Sequence, residues 1–137
     1  MDRNDQTSPP PPTRILIVDD HEWVRASLRL LLTGEPDLAI IGEASNGQEA
    51  LARSWQLHPD LVLMNVRMPV MNGLTATRLI HQAFPATKIL ILSIAVSPEY
   101  RVKAQQAGAA GYLLKEATHL ELVTAIHQVL AGTLLFD

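Results

Sequence analysis

The sequence predicts an α/β protein, a doubly wound parallel sheet of five strands built from five successive βα units. Three observations carry that expectation. Short, near-continuous apolar runs recur along the chain, as strands covered on both faces require. Between them lie stretches with apolar residues at helical spacing. Capping and stop residues mark the helix ends so closely that one crossover helix fits between consecutive strands.

Residues 1–13, MDRNDQTSPPPPT, are polar and end on Pro9–Pro12. They predict a disordered arm with a stiff polyproline end, and the folded domain is expected over 14–137. The first strand is ILIV (15–18). Val24, Leu28, Leu31 and Leu32 then form the buried stripe of the first helix, which Gly34 ends. LAIIGEA (38–44) is the second strand, and Asn46 with Glu49 has capping-box spacing for the second helix. LVLM (61–64) is the third strand, closed by Met68-Pro69, and Ala76, Ile80, Ala83 and Phe84 stripe the third helix. KILILS (88–93) follows. Ser97-Pro98 then places a capping hydroxyl before a proline at the first helical position. The fourth helix, 98–107, has a thin apolar face anchored by Val102, Ala104 and Ala107, and Gly108 stops it. GYLL (111–114) is the fifth strand. The last helix opens on Thr118 with Glu121 and stops at Gly132.

With 137 residues the chain fits one domain. A net charge of −3 gives no reason to expect direct binding to nucleic acid or acidic membranes. Without cysteine, disulfides, thiol catalysis and Cys-based metal sites are excluded. No apolar run reaches membrane-span length and the N-terminus lacks a signal-peptide core, so a cytoplasmic protein is expected.

In such sheets ligand chemistry gathers beyond the strands' carboxyl ends. Strand one ends in Asp19-Asp20, strand three in Asn65, strand four in Ser93, and strand five runs through Tyr112 to Lys115. Two adjacent carboxylates repel unless a cation sits between them, and hard oxygen ligands favour Mg²⁺. An ammonium and a hydroxyl opposite suit the oxygens of a transferring phosphoryl group. A nucleophile is missing, and the third strand is its natural place. Plainer readings stand beside these. Asp20 could cap the first helix, Lys115 alone reads as a solvated lysine, Ser93 as a strand-end hydroxyl, and Tyr112 as packing. The five histidines, His21 among them, read as scattered surface residues.

The motifs "LIVDDHE", "PDLVLMNVRMPVMNG", "ILSIA" and "AGAAGYLLKE" together resemble the receiver domain of a bacterial two-component response regulator. "DDH", "YLLKE" and the closing "AGTLLFD" are most similar to the NarL/FixJ (LuxR-type) branch. The resemblance implies a flavodoxin-like fold with strand order 2-1-3-4-5. It makes Asp19 and Asp20 the Mg²⁺ carboxylates, with the Arg67 backbone carbonyl and position 65 as further ligands. It makes Ser93 the hydroxyl that follows the phosphoryl group, Lys115 its cation and Tyr112 the rotameric switch. Its partners are a sensor histidine kinase and, through a helix-turn-helix output domain absent from this chain, DNA. Position 65 would be the aspartate that accepts phosphate.

It is asparagine. A neutral amide lacks the anionic oxygen that attacks phosphorus, so the chain is expected not to form an acyl phosphate. The amide also relieves the acid cluster: at roughly 5 Å and an effective dielectric near 20, each unit-charge repulsion is on the order of 3 kcal/mol. Asp19, Asp20, Ser93, Tyr112 and Lys115 are all of the expected type, which points to one isolated change in an otherwise working site. Two smaller departures are Ile94, which narrows access where relatives often have a small residue, and Glu116 in place of proline, for which a trans bond is expected. Without a phosphoryl group, Tyr112 is expected outward and Lys115 paired to Asp19 or Asp20.

Trp23 and Leu30 on the first helix, and Leu122 and Val129 on the fifth, fall off the core stripes. They are either partly buried by the sheet or a homodimer interface. The chief rival reading is a natural pseudo-receiver that acts only by binding partners. A dehalogenase-like phosphatase would want acids at D-x-D spacing, and a flavodoxin a hydroxyl- and glycine-rich loop where this chain has DDHEW.

Overall fold

Residue parity along the apolar runs sorts the sheet into two faces. The computed structural model describes residues 9–94 and 97–136. Its strands are β1 (Thr13–Val18), β2 (Leu38–Ala44), β3 (Leu61–Asn65), β4 (Lys88–Ser93) and β5 (Gly111–Leu114). All pair in parallel, in the order β2-β1-β3-β4-β5. The helices between and after them are α1 (Glu22–Thr33), α2 (Gly47–Leu57), α3 (Gly73–Ala83), α4 (Pro98–Ala107) and α5 (His119–Leu130).

Successive strand side chains point to opposite faces. Ile15, Ile17, Leu63, Leu90 and Leu92 therefore share one core with residues of α1 and α5. Leu16, Val18, Val62, Met64 and Ile91 share the other with Ala50, Ala76, Ile80 and Ala104 of α2, α3 and α4. The expected fold class and strand order both hold. Of the arm, residues 1–8 lie outside the described residues; Pro9–Pro12 are exposed, and β1 begins two residues before the expected strand, at Thr13, the last residue of the expected arm.

The caps are mostly those the sequence marks. Ser97 Oγ accepts from Tyr100 N–H with Pro98 in the first turn, and Gly108 closes α4 at φ 98°. Thr118 and Glu121 form the reciprocal box on α5. On α2 only half the box forms: Asn46 accepts from Glu49 N–H, while the Glu49 carboxylate reaches one residue further back, to Ser45 N–H and Oγ. Asp20 does not cap α1. His21 holds the cap position, and Asp19 Oδ1 accepts its N–H at 2.9 Å.

Several stripe residues turn out differently. Leu31 and Ala83 are exposed, and Thr77 takes the buried place beside Ala76 and Ile80. On α4 only Ala104 is buried, and Val102 is 52% exposed. Leu122 and Val129 are not surface residues. They are buried with Ile126 at i, i+4, i+7 in the core under α5. Burying each contributes about 1.5–3 kcal/mol, so they are committed to the core and leave the proposed interface. Trp23 and Leu30 remain exposed, at 69% and 81%. No helix among the described residues is long and apolar enough to cross a membrane.

Candidate functional site at the carboxyl edge of the sheet

The strand order reverses between β1 and β3, and the crevice this opens lies between Asp19-Asp20 and Asn65. Asp19 is buried, its N–H bonded to the Ala44 carbonyl oxygen of β2 at 3.1 Å. Its Oδ2 accepts from Lys115 Nζ at 2.6 Å. Lys115 is aimed there by the β4–β5 pairing, which continues as its own N–H donating to the Ser93 carbonyl oxygen at 2.7 Å. The lysine thus pairs with Asp19 as expected.

Asn65 ends β3 and is buried. Its Nδ2 donates to the Arg67 carbonyl oxygen at 2.9 Å and to Asp20 Oδ1 at 3.2 Å. A backbone carbonyl and an ionised carboxylate only accept, so these neighbours orient the amide with its NH₂ inward. Close packing holds the loop that follows. A Cβ on Gly73, the first residue of α3, would come 1.8 Å from the Asn65 carbonyl oxygen, so only glycine lets α3 press this near. Val70 adopts φ 70°, and Met71 N–H donates back to the Pro69 carbonyl oxygen at 2.7 Å, closing a three-residue γ-turn beside the site.

His21 joins the cluster, which the sequence reading missed. Its Nδ1 lies 3.3 Å from both Asp19 Oδ1 and Asp20 Oδ1, although the ring is half exposed. Adjacency to the acid pair was the available signal. Asp19, Asp20 and His21 form the metal-competent cluster among the described residues.

A cleft of about 520 Å³ opens over these groups, with Asp20, Asn65, Ser93 and Lys115 on its floor and Trp23 and Ile94 on its walls. Ile94 stands 79% exposed at the rim. Arg67 Nη2 reaches the Tyr100 hydroxyl at 3.4 Å across the opening. The Lys115–Glu116 bond is trans, like every described peptide. Tyr112 departs from expectation. Its ring is buried in the core beneath α4, with the Arg101 guanidinium 5.8 Å from its centroid. Cation–π attraction and packing against Ala104 and Ala109 favour the inward ring.

The oxygen set fits a hard divalent cation. Asp19, Asp20 and the Arg67 carbonyl supply oxygens within one hydrogen-bonded cluster, and the Asn65 amide would add its oxygen by turning over.

Comparison with known proteins agrees with this geometry. Residues 15–127 match the family model described as the response regulator receiver domain. The chain is 40% identical over 119 residues to the response regulator GacA of Pseudomonas viridiflava, covering 87% of this chain and 56% of that protein. It is 36% identical over 126 residues to the nitrate/nitrite response regulator protein NarL of Escherichia coli (strain K12), covering 92% and 58%. The chain therefore spans little more than half the length of these relatives. Among solved structures, a LuxR-family two-component response regulator from Aurantimonas sp. SI85-9A1 superposes with TM-score 0.86 at 38% identity, covering 90% of this chain and 89% of that one. The receiver domain of the putative response regulator NarL from Mycobacterium tuberculosis gives 0.84 at 31% identity, covering 90% and 99%. An acid pair, a strand-end hydroxyl and a lysine set on this sheet edge, together with that match, place the chain in the response-regulator receiver family, among relatives of the NarL and LuxR type.

Proposed function

We propose that this chain is a phosphorelay receiver whose acceptor position is blocked by Asn65. The observation that carries the reading is the inward amide, hydrogen-bonded to Asp20 and Arg67 at the point where a nucleophilic carboxylate would stand. Mg²⁺ would be held by Asp19, Asp20 and the Arg67 carbonyl, neutralising charge on a phosphoryl group. Lys115 and Ser93 would take two of that group's oxygens, and Tyr112 would follow Ser93. With aspartate at position 65, a carboxylate oxygen attacks phosphorus, the bond to the leaving group breaks, and an acyl phosphate forms. An amide nitrogen, its lone pair delocalised into the carbonyl, does not.

The partners implied are a sensor histidine kinase and, in a longer protein, an output domain that controls transcription by binding DNA in the cytoplasm. The exposed Trp23 and Leu30 on α1 are the part of the expected homodimer surface that stays available. A second reading, a phosphorylation-independent binding module, is favoured by the same amide, which satisfies cluster oxygens that a cation would otherwise take.

Incubation with acetyl phosphate and Mg²⁺, read by intact mass, tests the first reading. This chain is expected to gain nothing, and Asn65→Asp a labile phosphate at residue 65. Phosphate on the unmutated chain, or none on Asn65→Asp, overturns it; the latter result leaves the binding-module reading in place.

A further inference from the structure

Arg25 makes contacts that a helix-to-strand salt bridge does not need. Its side chain is 14% exposed and its guanidinium serves three elements. Nε donates to Glu43 Oε1 on β2 at 2.9 Å, and Nη2 to Glu22 Oε1 on α1 at 3.1 Å. Nη1 donates to the backbone carbonyl oxygen of Asp19 at 2.6 Å. The other oxygen of Glu43 is taken by Arg29, which makes the plain α1–β2 salt bridge.

The Asp19 backbone is therefore held on both sides from β2. Its N–H goes to the Ala44 carbonyl oxygen, and its C=O reaches Glu43 through Arg25. The peptide joining Asp19 to Asp20 sets where the Asp20 carboxylate lies relative to that of Asp19. Rotation of this peptide would swing Asp20 away from Asn65. Among the described contacts, the guanidinium makes none to either carboxylate, so it steadies the pair without competing for its oxygens. Only a forked side chain with several fixed donors can span the carbonyl and Glu43 together; lysine, with a single nitrogen, cannot match it.

We propose that Arg25, itself oriented by Glu43, is the positioning residue that presets the Asp19–Asp20 pair for a divalent cation. This rests on the proposed reading of that pair as the metal site. The ligands' supporting partners typically govern metal affinity as strongly as tenfold or more, which gives the scale of the expected effect.

Mg²⁺ titration of the full chain, followed by the fluorescence of Trp23 in the cleft wall, is the test, run on the parent and on Asn65→Asp. In both backgrounds Arg25→Gln is expected to weaken Mg²⁺ by about tenfold, and Arg25→Lys to restore only part of that. Arg29→Gln removes a salt bridge to the same Glu43 without touching Asp19. It is expected to lower the urea midpoint much as Arg25→Gln does while leaving Mg²⁺ affinity unchanged. If Arg25→Gln does not fold, Glu43→Gln, which keeps Arg25 but frees it, is expected to weaken Mg²⁺ severalfold. Unchanged affinity in Arg25→Gln or, failing that, Glu43→Gln, or an equal loss in Arg29→Gln, overturns this inference alone. No Mg²⁺ response in either background overturns the metal reading of the pair and this inference with it.

Discussion

The side-chain NH₂ of Asn65 stands between two oxygens, 2.9 Å from the Arg67 carbonyl and 3.2 Å from Asp20 Oδ1. Those are oxygens that the family resemblance assigns to a metal, so the amide does in miniature what a cation would do. It donates hydrogen where positive charge is wanted.

Asn65→Asp reverses that relationship. Two hydrogen bonds, each contributing about 1 kcal/mol net, are lost, and a second carboxylate faces Asp20. Side-chain rotation relieves part of the repulsion, so the metal-free protein is expected to lose about 2–3 kcal/mol. Mg²⁺ at a hundredfold excess over its dissociation constant returns about 2.7 kcal/mol. Thermal melts in EDTA and in Mg²⁺ read both effects. A variant as stable as the parent in EDTA would show that the amide's bonds contribute nothing.

The Lys115–Asp19 pair gives a second expectation. The two side chains are 16% and 2% exposed, so removing the lysine leaves a carboxylate in a nearly dry site whose remaining ion-pair partner among the described residues is His21. Lys115→Met keeps most of the stem and is expected to cost about 3 kcal/mol in urea unfolding. A loss under about 1 kcal/mol would mean that Asp19 is better solvated than its burial indicates.

The convergence of Asp19, Asp20, Asn65, Ser93 and Lys115 was legible because parallel register leaves little choice. Once strands at 15–18, 61–64, 88–93 and 111–114 are in place, their last residues and the ones that follow share one edge. Other features were not legible, for local reasons. α5 is apolar over much of its circumference, with Leu122, Val123, Ala125, Ile126 and Val129 all buried. Spacing alone could not choose its inner face. Arg25 carried no signal because its role depends on a long side chain folding back from the first turn of α1 onto the Asp19 carbonyl, a contact no periodicity marks. The inward ring of Tyr112 is a rotamer choice, which the strand pattern does not decide.

Glu49 carries a pH dependence of its own. The Ser45 N–H, the largest influence, holds its carboxyl below its ordinary 4.5; desolvation, the next largest, opposes it, and the Ser45 hydroxyl and the nearby Arg53 and Arg25 charges add smaller lowering effects. A depressed carboxyl stabilises the fold above its unfolded pKa, and that contribution fades as pH falls through the lower folded value. The parent is therefore expected to exceed Glu49→Gln in stability near pH 7, with the gap closing below 4.5. Urea melts at about pH 7 and about pH 3 measure it. A gap that stays constant across that range would assign the effect of the substitution to packing.

The last expectation concerns the free edge of β5. After Gly132 turns the chain at φ 100°, Leu135 lies alongside β5 in a parallel bridge to Gly111. Leu135 N–H donates to the Ala110 carbonyl oxygen at 2.9 Å, and Tyr112 N–H donates to the Leu135 carbonyl oxygen at 2.8 Å. Phe136 packs against the core that contains Tyr112. The tail thus covers an edge that would otherwise expose unpaired backbone. Residue 111 has no side chain, and a Cβ there would stand 3.0 Å from Leu90 Cδ1, 3.1 Å from Leu135 Cβ and 3.2 Å from the Leu135 carbonyl oxygen, so neighbours on both sides would have to give. Gly111→Ala should lift the tail away, since its own strand is fixed by pairing with β4 and the tail is not. The Tyr112 amide is then expected to exchange with solvent about tenfold faster, while amides of β1 and β3 keep their protection. Unchanged exchange at Tyr112 would show that the tail yields by a few tenths of an ångström and stays seated, and that the glycine is not what admits it.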